Sequence, residues 1–288
     1  MEPKKEFIHM SQKVTKVNLP LDHLSPSQID MYFRCPAQYH FRYILGIKNP
    51  PAVNLVDGSC HHRTLDNNNK YKIKTGKDRS DKYLIQRFSD IFSDEAKEIP
   101  KIEWKLAETT KDKIINRGRL IQKQYCKLFA PNLTPEFCEE EVRIKVGDVE
   151  VLGYIDVGGS YKPPFQKKPT RVVLDYKITG RKKSDDEIQN SVQLSHYGWA
   201  SLELLKGVSF RNPPHVGFCN LLKTGNCVPV TQTVPFTSQR VKWYRRQVSS
   251  VVDAISKGSF PIRNAVGWEC SKRFCGYWDR CRGKIQKD

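Results

Sequence analysis

Four triplets of the form acid-x-Lys occur in the 288-residue sequence: Glu2-Pro-Lys4, Glu95-Ala-Lys97, Glu103-Trp-Lys105 and Asp175-Tyr-Lys177. The first lies in an N-terminal tail and the next two on polar helical faces, where such charges are ordinary surface. Only the fourth follows a continuous apolar run, Val172-Val173-Leu174, which reads as a buried, central strand. Side chains alternate along a strand, so Asp175 and Lys177 point to one face. The preceding strand carries a second acid, Asp156, in Gly153-Tyr-Ile-Asp156. Two carboxylates on neighbouring strand ends can share a hard divalent cation such as Mg²⁺ or Mn²⁺. Such an ion polarises a phosphate oxygen and lowers the pKa of a bound water. Lys177 is then placed to hold the attacking water or to neutralise charge developing on the phosphate.

Gln193 and Tyr197, four residues apart, share one helix face and can contact a phosphate or position Lys177. Gln28 and Tyr32 repeat that spacing, and a packed core aromatic is the competing reading for Tyr197. His62 is a further ligand candidate, after Gly58-Ser59 at the start of a helix. His61 adjoins it, and one of the two is expected to face solvent. Nine cysteines are dispersed along the chain. An odd, scattered set in a chain without an apolar leader argues for a reducing compartment and for metal ligation rather than disulfides. Cys270, Cys275 and Cys281 fall within twelve residues of one another. Cys60, Cys126, Cys138, Cys219 and Cys227 read as small buried hydrophobes.

The elements that must position these residues are legible in outline. Residues 1–20 carry lysines without apolar periodicity and read as a flexible basic tail. Residues 21–288 read as one domain, with a helical section over 21–135, an α/β core over 136–260 and a cysteine-rich segment over 261–288. Ser25-Pro26 starts a helix leading into Ile29, Tyr32 and Phe33. A short aromatic helix runs from Pro36 to Leu45, closed by Gly46. Another starts at Asp57-Gly58-Ser59, with a polar loop from Asn67 to Lys82. Apolar spacing of three and four over Lys82 to Ala130 predicts two or three amphipathic helices. The period then changes to two: strands are expected at Phe137–Val146, Val149–Val157 and Arg171–Ile178, the first two joined by a Gly147-Asp148 hairpin. A helix from Asp185 to Leu205, strands near Val216–Leu221 and Val228–Val234, and a helix from Ser238 to Ile255 complete a mixed sheet flanked by helices.

In chain order, Gly58-Ser-Cys-His-His62, Gly153-Tyr-Ile-Asp156, Asp175-Tyr-Lys177 and Gln193-Leu-Ser-His-Tyr197 resemble the RecB-like branch of the PD-(D/E)XK nuclease superfamily. The resemblance implies a restriction-endonuclease-like core with Mg²⁺ or Mn²⁺ bound by His62, Asp156 and Asp175. It also implies that Lys177 assists the attacking water and that Gln193 and Tyr197 support the site and DNA binding. Cys35, in Phe-Arg-Cys-Pro-Ala, together with Cys270-x4-Cys275-x5-Cys281, looks like the iron-sulfur clasp of AddB-type helicase-nucleases and CRISPR adaptation (Cas4-like) exonucleases. By that likeness the four thiolates hold a 4Fe-4S cluster. The four-residue gap departs from the commoner C-x2-C, which keeps Zn²⁺ open as the alternative. The resemblance further implies exonucleolytic cutting from DNA ends, commonly 5′ to 3′ on single strands.

The 49 Lys and Arg residues against 31 Asp and Glu give 49 − 31 = +18, which points to a polyanionic partner. Lys162, Lys167, Lys168, Arg171, Arg181, Lys182 and Lys183 bracket the strand carrying Asp175, where a phosphodiester backbone would lie. Tyr277 and Trp278 are suited to stacking on unpaired bases or to covering the cysteine site. No apolar run reaches the length of a membrane span. A cytoplasmic location, in a bacterial, archaeal or phage-infected cell, is expected. The sequence holds no Walker A phosphate loop, so unwinding would require a helicase, recombination or CRISPR adaptation partner. The rival readings are a non-catalytic nucleic-acid-binding module and a DNA-end-processing subunit of a larger complex.

Overall fold

The computed structural model describes residues 22–264, 267 and 269–282; the tail expected over 1–20 lies outside them. Ser25 caps helix α1 (Pro26–Arg34), its hydroxyl accepting from the Gln28 N–H with Pro26 at the first position. Helix α2 (Pro36–Tyr39) widens into a looser turn over His40–Ile44, and Gly46 turns the chain away at φ +64°. Then come α3 (Val53–Thr75), α4 (Asp81–Glu95), α5 (Lys101–Leu106) and α6 (Lys111–Leu128).

Strands β1 (Leu133–Val146) and β2 (Val149–Tyr161) form the expected hairpin, with Gly147 at φ +61° in its two-residue turn. Both strands are longer than their patterning indicated. After β3 (Thr170–Thr179) follow α7 (Asp185–Gln189), α8 (Val192–Leu204), β4 (His215–Leu222), β5 (Pro229–Pro235), α9 (Ser238–Ser256) and α10 (Trp278–Cys281). The five strands lie in sequence order; only β3 and β4 run parallel, so the sheet is mixed and β3 is central, as its apolar run implied.

Helices cover both faces. On one, Leu65 of α3 and Ile121 and Tyr125 of α6 pack on Val157, Leu174 and Tyr176. On the other, Tyr197 of α8 lies over Ile155 and Val173, while Ile29, Val248 and Val251 of α1 and α9 cover the hairpin at Val149 and Val151. Gly153 of β2 is required by this second layer. A Cβ there would stand 2.8 Å from the His196 ring and 3.1 Å from that of Tyr197.

Three expectations are corrected. The segment expected as a loop after Asn67 is helical to Thr75, because its asparagines are interior: Asn69 donates to the Tyr176 hydroxyl at 3.1 Å, and Asn68 donates to Asp78 and accepts from the Arg79 N–H. Tertiary hydrogen bonds override their weak helix propensity. That helix also begins at Val53, before Asp57-Gly58. The single helix expected over Asp185 to Leu205 is two, because Ser191 breaks it as the N-cap of α8, its hydroxyl accepting from the Leu194 N–H.

Candidate active site

Asp156 and Asp175 do not end their strands, as their motifs implied, but stand where strand pairing fails. The ladder between β2 and β3 runs only from Tyr161–Thr170 to Val157–Leu174. Beyond it β2 swings away, and its freed edge exchanges two backbone hydrogen bonds of 2.9 Å with Leu24, just before α1. The Tyr176 N–H of β3 is left facing Asp156, whose Oδ2 accepts it at 2.6 Å. A carboxylate thus takes the place of a missing sheet partner in a buried setting.

The other oxygen of Asp156 lies 3.2 Å from His62 Nδ1. The α3 helix carries His62 across β1–β3, its ring edge-on to Tyr176 at 6.2 Å between centroids. Glu139 of β1 completes the group: His62, Glu139 and Asp156 each offer a ligand atom within 4.8 Å of the others, the one such triad among the described residues. Glu139 has φ +48°, an uncommon conformation for a residue other than glycine and one that occurs preferentially at functional sites. Burial of His62 opposes its charge, but the hydrogen bond and charge of Asp156, with Asp175, outweigh it and lift its pKa to about 9. Burial, then repulsion from Asp156 and Asp66, raises Glu139. One imidazole and two carboxylates are a donor set that suits a divalent cation, which would take the place of the proton that Asp156 favours on His62.

On the opposite face of β3 a second chain of contacts runs toward α8. Lys177 Nζ lies 2.6 Å from Asp175 Oδ2 and donates to Gln193 Oε1 at 3.0 Å; Gln193 Nε2 donates to the Tyr197 hydroxyl at 2.9 Å. Burial pushes Asp175 up to about 6, against the pull of Lys177. Burial disfavours the Lys177 charge, yet Asp175 more than compensates and its pKa rises. Burial raises Tyr197 far enough to keep it neutral. His62, Asp156, Asp175, Lys177, Gln193 and Tyr197 all fall in these two contact chains, although Asp175 is not in the His62 triad and faces Lys177 instead.

Neither histidine of the pair is free in solvent. His61 is fully buried, with Gln122 Nε2 at 2.8 Å from its Nδ1 and Asp57 at 3.4 Å from its Nε2, and it stacks on Phe88. The basic residues do not all bracket the site. Arg181 and Lys183 pair with Glu187 in the capping box of α7. Lys162, Lys167 and Lys168 lie in the β2–β3 connection, at the far end of β3 from Asp175. Sequence reasoning missed Glu139, whose only signal is the acidic run Glu139-Glu140-Glu141. It also missed Arg240, a buried guanidinium donating to Ser195 Oγ and to the Ile188 carbonyl, which fixes the start of α8.

The family model for the PD-(D/E)XK nuclease superfamily matches residues 23–282. The chain belongs to that superfamily. Its five-stranded mixed sheet flanked by helices is the restriction-endonuclease-like architecture expected of a nuclease. Among solved structures, "Putative exonuclease" from Eubacterium rectale is similar, with 12% sequence identity, a TM-score of 0.47, and coverage of 86% of this chain and 87% of that one. No curated protein matches the sequence.

The cysteines form a separate place. Cys35, between α1 and α2, lines one small cavity with Cys270, Cys275 and Cys281, and all four are free thiols. Tyr277 covers it, stacking on Phe41 at 5.5 Å and donating its hydroxyl to the Ile47 carbonyl at 3.0 Å. At 3% exposure the Tyr277 ring is not open to a base. Cys60, Cys219 and Cys227 are buried, and Cys126 and Cys138 pack against the core, as small hydrophobes do. No helix among the described residues is long and apolar enough to cross a membrane.

Proposed function

We propose that the chain is a divalent-metal-dependent deoxyribonuclease that hydrolyses phosphodiester bonds from DNA ends, with single-stranded DNA cut 5′ to 3′ as the expected mode. The observation that carries this reading is the pair of contact chains meeting where β2 leaves β3: His62–Asp156 with Glu139, and Asp175–Lys177–Gln193–Tyr197. His62, Glu139 and Asp156 would hold Mg²⁺ or Mn²⁺, with Asp175 beside them. When bound, the ion supplies Lewis-acid polarisation of the scissile phosphate.

The protein's own groups divide the remaining work. Lys177 has three N–H donors, of which Asp175 and Gln193 take two, so the third is left for water or a phosphate oxygen. Its raised pKa keeps it an ammonium, which cannot accept a proton. It therefore orients and stabilises. The water's proton needs an acceptor, and the Asp175 carboxylate beside Lys177 is the group placed to take it. Tyr197 receives the Gln193 amide N–H, which turns Gln193 Oε1 toward Lys177 and fixes the ammonium.

Cys35, Cys270, Cys275 and Cys281 are proposed to hold a 4Fe-4S cluster. Tetrahedral zinc with Zn–S near 2.3 Å brings its sulfurs within about 4 Å of one another. No three of these thiols converge within 4.8 Å, since the only triad at that spacing among the described residues is the histidine–carboxylate one. Thiols spaced more widely than the ligands of one zinc ion favour a cluster, whose ligand sulfurs stand farther apart. It would tie the N-terminal helices to the C-terminal segment across more than two hundred residues.

The test is digestion of 5′-labelled, 3′-labelled and circular DNA by anaerobically purified protein in Mg²⁺ or Mn²⁺, with Asp175→Ala and Lys177→Ala beside it. Linear DNA should be shortened, Asp175→Ala should be inert and Lys177→Ala slowed about 10²- to 10³-fold. Full activity in either variant would refute the assignment. Binding that persists in chelator with no cleavage under any metal would replace it by a non-catalytic binding module.

A further inference from the structure

Beside the cysteine cavity lies an open groove of about 500 Å³, lined by Phe33, Arg34, Pro36, Pro261, Ile262 and Arg263. Its volume is that of a small-molecule site. Its composition is unusual for a resting surface. Phe33, at the end of α1, is 48% exposed although the apolar pattern of that helix predicts it inward, and Ile262 across the groove is 51% exposed. Arg34 stands beside Phe33 and donates to the Gln38 side-chain carbonyl at 2.9 Å. An aromatic face, an aliphatic wall and a guanidinium are the elements that hold an unpaired nucleotide: base on ring, phosphate on cation.

The groove is also close to the candidate active site. Asp30, one helical turn before Arg34 on α1, feels the charges of both Lys177 and Arg34. One turn of helix is about 6 Å. Arg34 is thus one helical turn past a residue within electrostatic reach of Lys177. A strand lying with its scissile phosphate at Lys177 reaches the groove within a few nucleotides, at 3.4 Å or more per nucleotide.

We infer that this groove is a strand-holding subsite, in which Phe33 stacks on an unpaired base and Arg34 binds a phosphate of single-stranded DNA a few nucleotides from the cut. This rests on the nuclease reading only for the direction of the strand. A duplex cannot enter in this way, because its bases are stacked on each other, so the site selects single strands.

The probe is fluorescein-labelled oligo(dT) of fifteen and of two residues, bound to the full chain in chelator and followed by anisotropy over a salt series. Phe33→Leu should weaken binding of the fifteen-mer about 5- to 100-fold, the range that loss of one base–aromatic stack produces, with its salt dependence unchanged. Arg34→Gln should weaken it and lower the slope of log affinity against log salt by about 0.7, one phosphate contact on a single strand. Neither change should alter the two-mer, and both variants should keep the natural unfolding midpoint. Fifteen-mer binding within twofold of the natural protein in both variants, or tighter binding of a blunt duplex than of the single strand, would overturn the subsite. Cleavage assays on the same variants separate the two readings. Variants that lose fifteen-mer binding in a chain that cuts nothing under any metal uphold the groove and sink the nuclease, whereas unchanged fifteen-mer binding in an active chain does the reverse.

Discussion

Replacing Asp175 by Asn should abolish cleavage and at the same time stabilise the metal-free protein at neutral pH. The Asp175 carboxyl is 1% exposed, and burial lifts its pKa from 3.8 to about 6 despite the adjacent Lys177 ammonium. Holding it ionised in the fold at neutral pH therefore costs on the order of 3 kcal/mol relative to the unfolded chain. The sign follows from proton binding. A carboxyl whose folded pKa exceeds its unfolded value binds its proton more tightly in the native state. Stability is then highest below about pH 4, declines as pH rises from 4 to 6, and stays at the lower level above.

Asn is neutral at every pH and mimics the protonated acid, with Lys177 as its neighbour in both cases. The variant and the natural protein should accordingly have similar midpoints at pH 4. At pH 7.5 the variant should gain up to about 3 kcal/mol, or roughly 6 to 12 °C for a chain of this size. Thermal unfolding in chelator at pH 4, 5, 6 and 7.5 reads the divergence directly. An Asn variant less stable at pH 7.5, or a difference that does not change between pH 4 and 7.5, would refute the claim that this carboxylate is held at the fold's expense for chemistry.

Three further outcomes are expected. Lys177→Ala should lower the cleavage rate by about 10² to 10³, the usual loss for a preorganised donor, with retained fold by circular dichroism. Glu139→Gln should weaken Mn²⁺ binding about tenfold by calorimetry, because affinity for hard cations follows ligand charge, while Glu140→Gln should not. Cys275→Ser should give protein with diminished visible absorbance and sub-stoichiometric iron, unfolding several degrees lower, because a ligand-dependent tie between the chain ends is lost. A colourless natural protein containing one zinc would contradict the cluster.

The sequence exposed those parts of the fold that depend on local pattern. The central place of β3 and the shared face of Asp175 and Lys177 follow from an apolar run and from alternation, both of which survived tertiary assembly. The i, i+4 pair Gln193 and Tyr197 needed only the start of α8. What stayed hidden depends on docking. Adjacent residues on a helix point about 100° apart, so only the seating of α3 determines that His62 meets Asp156 while His61 turns to Asp57 and Gln122. Likewise, the backbone at Glu139 leaves the strand conformation, so no count of alternating positions could choose it from Glu139-Glu140-Glu141. The asparagines of α3 resembled loop residues because their partners, Tyr176 and Arg79, are distant in sequence or lie beyond the helix end.

The split between β2 and β3 explains how these residues come together. A continuous ladder would pair the Tyr176 N–H with β2 and leave no opening between the two strands. Because β2 stands away from β3 before Val157, Leu24 takes over its freed backbone and Asp156 takes over that of β3. The same carboxylate then has one oxygen committed to the fold and one left for His62 and a cation. Asp156→Ala must therefore fail twice, leaving a buried N–H unpaired and removing a ligand, whereas Glu139→Gln can lose only the ligand. The two substitutions separate what the sheet needs from what the chemistry needs.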